Sequence, residues 1–187
     1  MRKTKFTPIP KELAYLQGNL FSDYVSDMNI LREFAYLNRK AMAKDIIDYL
    51  GVKPVDEFTT LHNYLDTESM ILRKGAVSAQ SGEKLIIPIN MRDGSLICTG
   101  KGNSDWNYSA PHGAGRIMSR SEAKRRISLN EFSESMKGIY SSSVVASVID
   151  ESPMAYKPLE SILDNIKDTV DVVNVIKPIY NAKAKEV

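Results

Sequence analysis

The sequence predicts an α+β protein with helices first, a β-rich middle carrying glycine loops, and a mixed helix and strand C-terminus. Three observations lead there. Apolar residues recur at helical intervals between Tyr24 and Leu50. Between residues 57 and 110, short β-branched and apolar runs are separated by glycines at 75, 82, 94, 100 and 102. From Ser119 onward helical spacing returns and is followed by one long apolar run.

Taken in order, Pro10 suits the first turn of a short helix through Leu16, where its missing N–H costs nothing. After Gly18, Tyr24, Met28, Leu31, Phe34, Ala35, Ala41, Ile46 and Leu50 mark a long amphipathic helix that Gly51 closes. The runs FTTLHNY, MILRKGAV, KLIIPINM and SLICTG read as strands joined by functional loops. A helix is expected around Ser119 to Arg126. Ser128 and Glu131 have the spacing of a capping box opening another helix, through Met136. The last helix should start at Pro158 and reach about Thr169, before a closing strand in VDVVNVIKPIY. No repeat, low-complexity tract or long linker interrupts the chain.

A chain of 187 residues fits one domain and can bury a core. A formal charge of +2 offers no overall basic field, so contact with nucleic acid would need local clusters of Lys and Arg. Cys98 is the only cysteine, which excludes an internal disulfide and suggests a reducing setting. MRKTKFTPIP lacks the apolar core of a signal peptide, and a stretch such as LIIPI is too short to span a bilayer. The expectation is a soluble, cytoplasmic protein.

The chemistry concentrates around two histidines. His62, in LHNYLDTE, is either a buried histidine satisfied by a backbone bond or a ligand for a divalent transition metal. Asn63 beside it has the groups to hydrogen-bond a phosphate. His112 lies in PHGAGR, where two glycines permit close backbone approach and successive N–H groups can form an anion-binding nest. Arg116 adds a positive charge, and the helix expected after Ser119 would point its N-terminus toward the same loop. The residues alone leave two readings open: a tight turn with an incidental histidine, or a histidine that acts as acid, base or phosphoryl-accepting nucleophile. GSL at 94–96 and GKGN at 100–103 are small-residue loops, and neither matches a Walker A loop. Arg116, Arg120, Lys124, Arg125 and Arg126 form a basic stretch, either a solvated helix face or a guide for RNA phosphates. The carboxylates, Asp93 and Glu68 among them, show no pairing that argues for acid–base catalysis.

In order, HNY, RKGAVSA, GE, IIPINM, SLICTGKGN and SAPHGAGRIMSR resemble the core of the RtcB RNA ligases, and the resemblance runs from about Pro10 to Lys183. It implies a partial RtcB fold, with residues 1–187 as the C-terminal portion of the catalytic domain. It also implies that His112 attacks the α-phosphate of GTP and carries GMP, with Gly113, Ala114 and Gly115 lining the nucleotide. His62 would bind metal and Asn63 would contact GMP. Pro88, Ile89, Asn90 and Met91 match the family's P-x-x-M nucleotide loop, and Ser95 matches the contact seven residues beyond its proline. Tyr156 would pack near guanine and Lys183, five residues after Pro178, would read the base. Many relatives have glycine and serine where this chain has Ile89 and Asn90, which suggests a divergent branch.

The implied activity is a GTP- and Mn²⁺-dependent RNA ligase joining a 3′-phosphate or 2′,3′-cyclic phosphate to a 5′-hydroxyl, acting on RNA ends with tRNA halves among them. The family's enzymes are longer, however, and most of their manganese ligands lie in the N-terminal half. Their Asp-x-x-Cys segment has no counterpart here, because Ser95 stands three residues before Cys98. The same holds for their Asn-His segment and further histidine. A partner or upstream sequence supplying that half is therefore expected, the alternative being a non-catalytic nucleotide- or RNA-binding remnant.

Overall fold

The structure, a computed structural model, describes residues 14–183, which divide into two compact units between Asp56 and Glu57. Of the short helix expected from Pro10, residues 10–13 lie outside the described residues, and residues 14–16 are not helical. The first unit is dominated by one helix, α1 (Asn19–Leu50). Gly51 ends it in the left-handed conformation at φ 62°, which a residue without Cβ adopts freely. None of its side chains is buried, so the apolar residues that announced it, Leu31, Phe34 and Ile46 among them, remain exposed.

The second unit is built on two antiparallel sheets of three strands. One orders β1 (His62–Asp66), β2 (Ile71–Ser78) and β5 (Ser109–Pro111) side by side. The other orders β3 (Lys84–Asn90), β4 (Gly94–Gly100) and β7 (Val170–Ile176). The run FTTLHNY becomes strand only from His62 onward. Alternation explains β3: Leu85, Ile87 and Ile89 point inward, while Pro88 sits exposed on an edge strand, where its lack of an N–H is tolerated.

Three short helices follow the expected signals. Ser119 caps α2 (Arg120–Arg126), and Ser128 with Glu131 forms the capping box of α3 (Leu129–Ser135). Pro158 caps α4 (Leu159–Asn165), which ends before the expected Thr169. Short 3-10 helices span Ala146–Glu151 and Pro153–Ala155. The two-residue strands β6 (Tyr140–Ser141) and β8 (Tyr180–Asn181) pair in parallel.

Two apolar cores result. One packs both sheets against α4 through Val77, Leu85, Ile87, Leu96, Ala114 and Ile166. The other gathers Met91, Ala123, Phe132, Met136 and Val148 around α2 and α3. Tyr156 packs against both, which places it at the seam between them. No helix among the described residues is long and apolar enough to cross a membrane.

Candidate functional site

One glycine organises both histidines. Gly75, at φ 69° in β2, donates its N–H to Asn63 Oδ1 at 2.7 Å and receives the His112 N–H on its carbonyl at 3.3 Å. Asn63 reaches it because the β1–β2 register breaks between His62 and Tyr64, with Asn63 itself at φ 53°. Asparagine tolerates that left-handed geometry better than most residues. On the other side, β5 pairs with β2 so that Pro111 faces Ala76, and His112 leaves the strand at the Gly75 carbonyl. The two imidazoles end 5.5 Å apart between ring centroids.

This settles one alternative for His62. Its side chain is exposed, so it is not a buried histidine satisfied by the backbone. Among the described residues it also belongs to no group of three His, Cys, Asp or Glu side chains that could hold a metal ion. His112 is held below the usual histidine pKa, first by burial and then by the neighbouring His62. Its unprotonated, nucleophilic form is therefore favoured at neutral pH.

The loop after His112 is stitched to its surroundings by backbone bonds. Ala114 N–H donates to the Pro88 carbonyl at 2.9 Å, and Lys157 N–H donates to the Gly115 carbonyl at 3.1 Å. Gly115 takes φ 70°, the conformation that lets the chain turn back toward Tyr156. The expected nest is thereby narrowed, because the N–H groups of His112 and Ala114 already serve protein carbonyls. The expected help from the next helix also fails. The N-terminus of α2 is capped by Ser119 Oγ, which accepts from the Glu122 N–H, and Glu122 puts an acidic side chain in its first turn.

A cleft of about 550 Å³ opens where these segments meet. Pro88, Ile89, Asn90, Met91 and Ser95 line it from β3 and β4, and His112, Gly113, Ala114 and Gly115 from the loop. Tyr156 and Lys183 complete it from the seam and the C-terminal segment. His62 and Asn63 stand outside its lining, beside His112. Asn90 contributes shape more than free polar groups. Its Oδ1 accepts from the Arg92 and Asp93 N–H groups, and its Nδ2 donates to Asp93, so the side chain is spent on the β3–β4 turn.

The basic stretch departs from its expected role. Arg116 donates to Tyr156 Oη at 3.1 Å, to the Met118 and Asp150 carbonyls, and lies 3.6 Å from Glu151. Arg120 pairs with Asp150 at 2.9 Å and with Glu151 at 3.1 Å. Lys124 lies 3.5 Å from Asp150, and Arg126 pairs with Glu122. Arg120, Lys124 and Arg126 remain exposed, as on a solvated helix face, but each also pairs with a carboxylate. Asp150 and Glu151, the carboxylates that pair with Arg120 and Lys124, are positions that sequence reading missed. Their signal was the adjacency of DE to SPMAYK, an acidic pair balancing the only dense basic stretch nearby. Gly94, Ile176, Lys177, Pro178 and Asn181 also line the cleft without having been anticipated.

Comparison with known proteins gives this cleft a context. The family model described as tRNA-splicing ligase RtcB matches residues 1–184. An RNA-splicing ligase RtcB of Escherichia coli strain K12 is 33% identical, covering 98% of this chain and 49% of its own length. A tRNA-splicing ligase RtcB of Aeropyrum pernix is 34% identical, covering 87% of this chain and 42% of its own. The chain thus spans about half the length of the curated relatives it matches. With a family model matching nearly its whole length, the chain belongs to the RtcB family of tRNA-splicing ligases.

Proposed function

We propose that this chain is the nucleotide-linked C-terminal part of an RNA ligase that joins 3′-phosphate or 2′,3′-cyclic phosphate ends to 5′-hydroxyl ends, with GTP and Mn²⁺ and with complementing N-terminal sequence. The observation that carries the reading is the cleft, where His112 and its glycines face Pro88–Met91, Ser95, Tyr156 and Lys183 across one volume. His112 is the nucleophile. Its unprotonated ring nitrogen bonds to the α-phosphorus of GTP as the bond to pyrophosphate breaks, leaving GMP on the imidazole. The GMP then passes to the RNA 3′-phosphate, and the 5′-hydroxyl displaces it. Tyr156 and Lys183 face the base, and Gly113 to Gly115 face the phosphate.

His62 alone does not make a metal site, and the described residues offer no third partner for it or for His112. His62 would hold Mn²⁺ together with ligands from the complementing sequence, and the ion would supply Lewis-acid polarisation of the phosphates there. RNA as the substrate, with tRNA included, is supported by relatives described as RNA-splicing and tRNA-splicing ligases. The cytoplasmic setting rests on the lone Cys98.

The test incubates the chain with α-labelled GTP and Mn²⁺, with and without the N-terminal half of the Escherichia coli relative. Acid-labile label on His112 only in the mixture is the expected result. His112→Ala should abolish the label while keeping the fold, because the side chain is exposed. Full labelling of that variant overturns the assignment. GMP binding without label in either condition points instead to a non-catalytic nucleotide- or RNA-binding remnant.

A further inference from the structure

One carboxylate in the cleft touches more of its walls than any residue of the nucleotide reading. Glu151 ends the 3-10 helix Ala146–Glu151, and its side chain is 17% exposed. Its Oε2 accepts from Tyr156 Oη at 2.8 Å and lies 3.5 Å from Lys183 Nζ. Its Oε1 lies 3.1 Å from Arg120 Nη1 and 3.6 Å from Arg116 Nη1. These four partners come from α2, the His112 loop, the seam between the cores and the C-terminal segment, which share no other side chain as a common partner among the described residues.

We propose that Glu151 is a positioning residue. It anchors the C-terminal segment by holding the Lys183 ammonium against the cleft, and it orients the Tyr156 hydroxyl and the Arg116 and Arg120 guanidiniums around the same point. The electrostatics require such a group. Arg116, Arg120, Lys124 and Lys183 bring four positive charges into one neighbourhood, and Asp150 and Glu151 supply the negative charge that keeps them together. Among the described residues, only Glu151 pairs with Lys183. A carboxylate accepts along several lone pairs, so one side chain can serve all four partners. It also stays ionised. Burial pushes its carboxyl pKa up, but the Tyr156 hydrogen bond and the Lys183 and Arg120 charges outweigh that and hold it below the usual value.

The backbone of the same segment shows what Glu151 adds. Lys183 N–H donates to Ser143 Oγ at 2.8 Å, and β8 pairs with β6, so the main chain is tied by bonds that do not involve Glu151. Among the described residues the Lys183 side chain is tied to Glu151 alone, and it is 40% exposed. Removing that carboxylate frees the ammonium and leaves the segment held by its main-chain bonds alone, which loosens it. The consequence for ligand binding rests on the reading of the cleft as a nucleotide site; the anchoring itself does not.

The experiment separates the two. In the chain alone, the reactivity of the Lys183 amine toward an acylating reagent is read by mass spectrometry, with exposed Lys53 as the internal reference. Glu151→Gln is expected to raise Lys183 reactivity about threefold, the size of a partly exposed ion pair, without changing Lys53. Unchanged Lys183 reactivity overturns the anchoring, whatever happens to the melting temperature. If Glu151→Gln does not fold, Lys183→Met reads the same pair from the other side. Exchange of the amides at 181–183 should then quicken, and unchanged exchange overturns the proposal.

In the complemented labelling assay, Glu151→Gln is expected to raise the KM for GTP about tenfold with kcat within about twofold, the signature of lost ground-state positioning. Combined with Lys183→Met, the effect on KM should not exceed that of the worse single variant. Effects that multiply show that the two residues act independently and overturn the proposal. If wild-type protein takes no label, the nucleotide reading fails, and the amine reactivity still decides whether Glu151 holds Lys183.

Discussion

Arg73 is a buried guanidinium, 2% exposed, and the sheet that carries both histidines depends on it. From β2 it donates to Ser109 Oγ in β5 at 2.9 Å and to Tyr64 Oη in β1 at 3.1 Å, so it joins all three strands. It also meets Asp66 at 3.4 Å and the carbonyls of Asn107 and Tyr108 at 3.4 and 3.5 Å. Replacing it by methionine keeps much of the stem and removes every donor. Two well-formed bonds from a charged donor account for about 3 kcal/mol, and the three longer contacts add little. The larger cost of a stranded buried charge is not reached. Asp66 is 21% exposed and still accepts from the Glu68 and Ser69 N–H groups. Arg73→Lys keeps the charge without the planar fork and should cost about half as much.

Urea unfolding followed by Trp106 fluorescence measures this. Trp106 is the only tryptophan and adjoins Asn107, whose carbonyl Arg73 contacts. The pH dependence has a definite sign. Burial pushes the Asp66 carboxyl up, but hydrogen bonds from Ser69, Glu68 and Arg73 outweigh it and hold the group below its ordinary 3.8. A carboxyl so depressed contributes stability above its unfolded pKa, and that stability is lost as pH falls through the folded one. The gap between wild type and Arg73→Met should therefore narrow below about pH 4. A variant within about 1 kcal/mol of wild type at pH 7 would refute the reasoning.

Three further outcomes follow from particular sites. At φ 84°, Gly94 has no room for a side chain, because a Cβ there would fall 1.9 Å from the Ile176 carbonyl oxygen. Gly94→Ala should cost more than about 2 kcal/mol and widen the β4–β7 end of the cleft; an unchanged melting temperature would sink this. Burial pushes the Cys98 thiol up to about 11, so at pH 8 only about a thousandth is thiolate. Alkylation should then track global unfolding, and rapid labelling of native protein would show the thiol to be accessible. Val172, Val173, Val175 and Ile176 on edge strand β7 are 38–57% exposed. If complementing sequence covers them, their amides should gain protection from hydrogen exchange when the N-terminal half of the Escherichia coli relative is added. Identical exchange in the mixture excludes β7 as the contact.

Much of the secondary structure was legible because it rests on local chemistry. Gly51 ends α1, Ser128 and Glu131 form their box, and Gly94 marks a turn with a close approach that a Cβ would spoil. The apolar runs KLIIPINM and SLICTG located β3 and β4, and the fold then set which of their residues turn inward. The first segment was read less well. Helical spacing located α1, but its apolar residues stay exposed, since periodicity reports a potential face and not the surface that covers it.

The sequence by itself determined the α+β class, the order of the elements, and the segments around His112, Pro88–Met91, Tyr156 and Lys183 that line the cleft. Tertiary structure alone decided how those segments are held. It joined His62 to His112 through the two backbone groups of Gly75. It also paired Arg116, Arg120 and Lys124 with Asp150 and Glu151. The reason is physical. Helix caps, turns and alternation depend on residues a few positions apart, whereas partner choice among charges depends on distances that exist only after the sheets and short helices have packed.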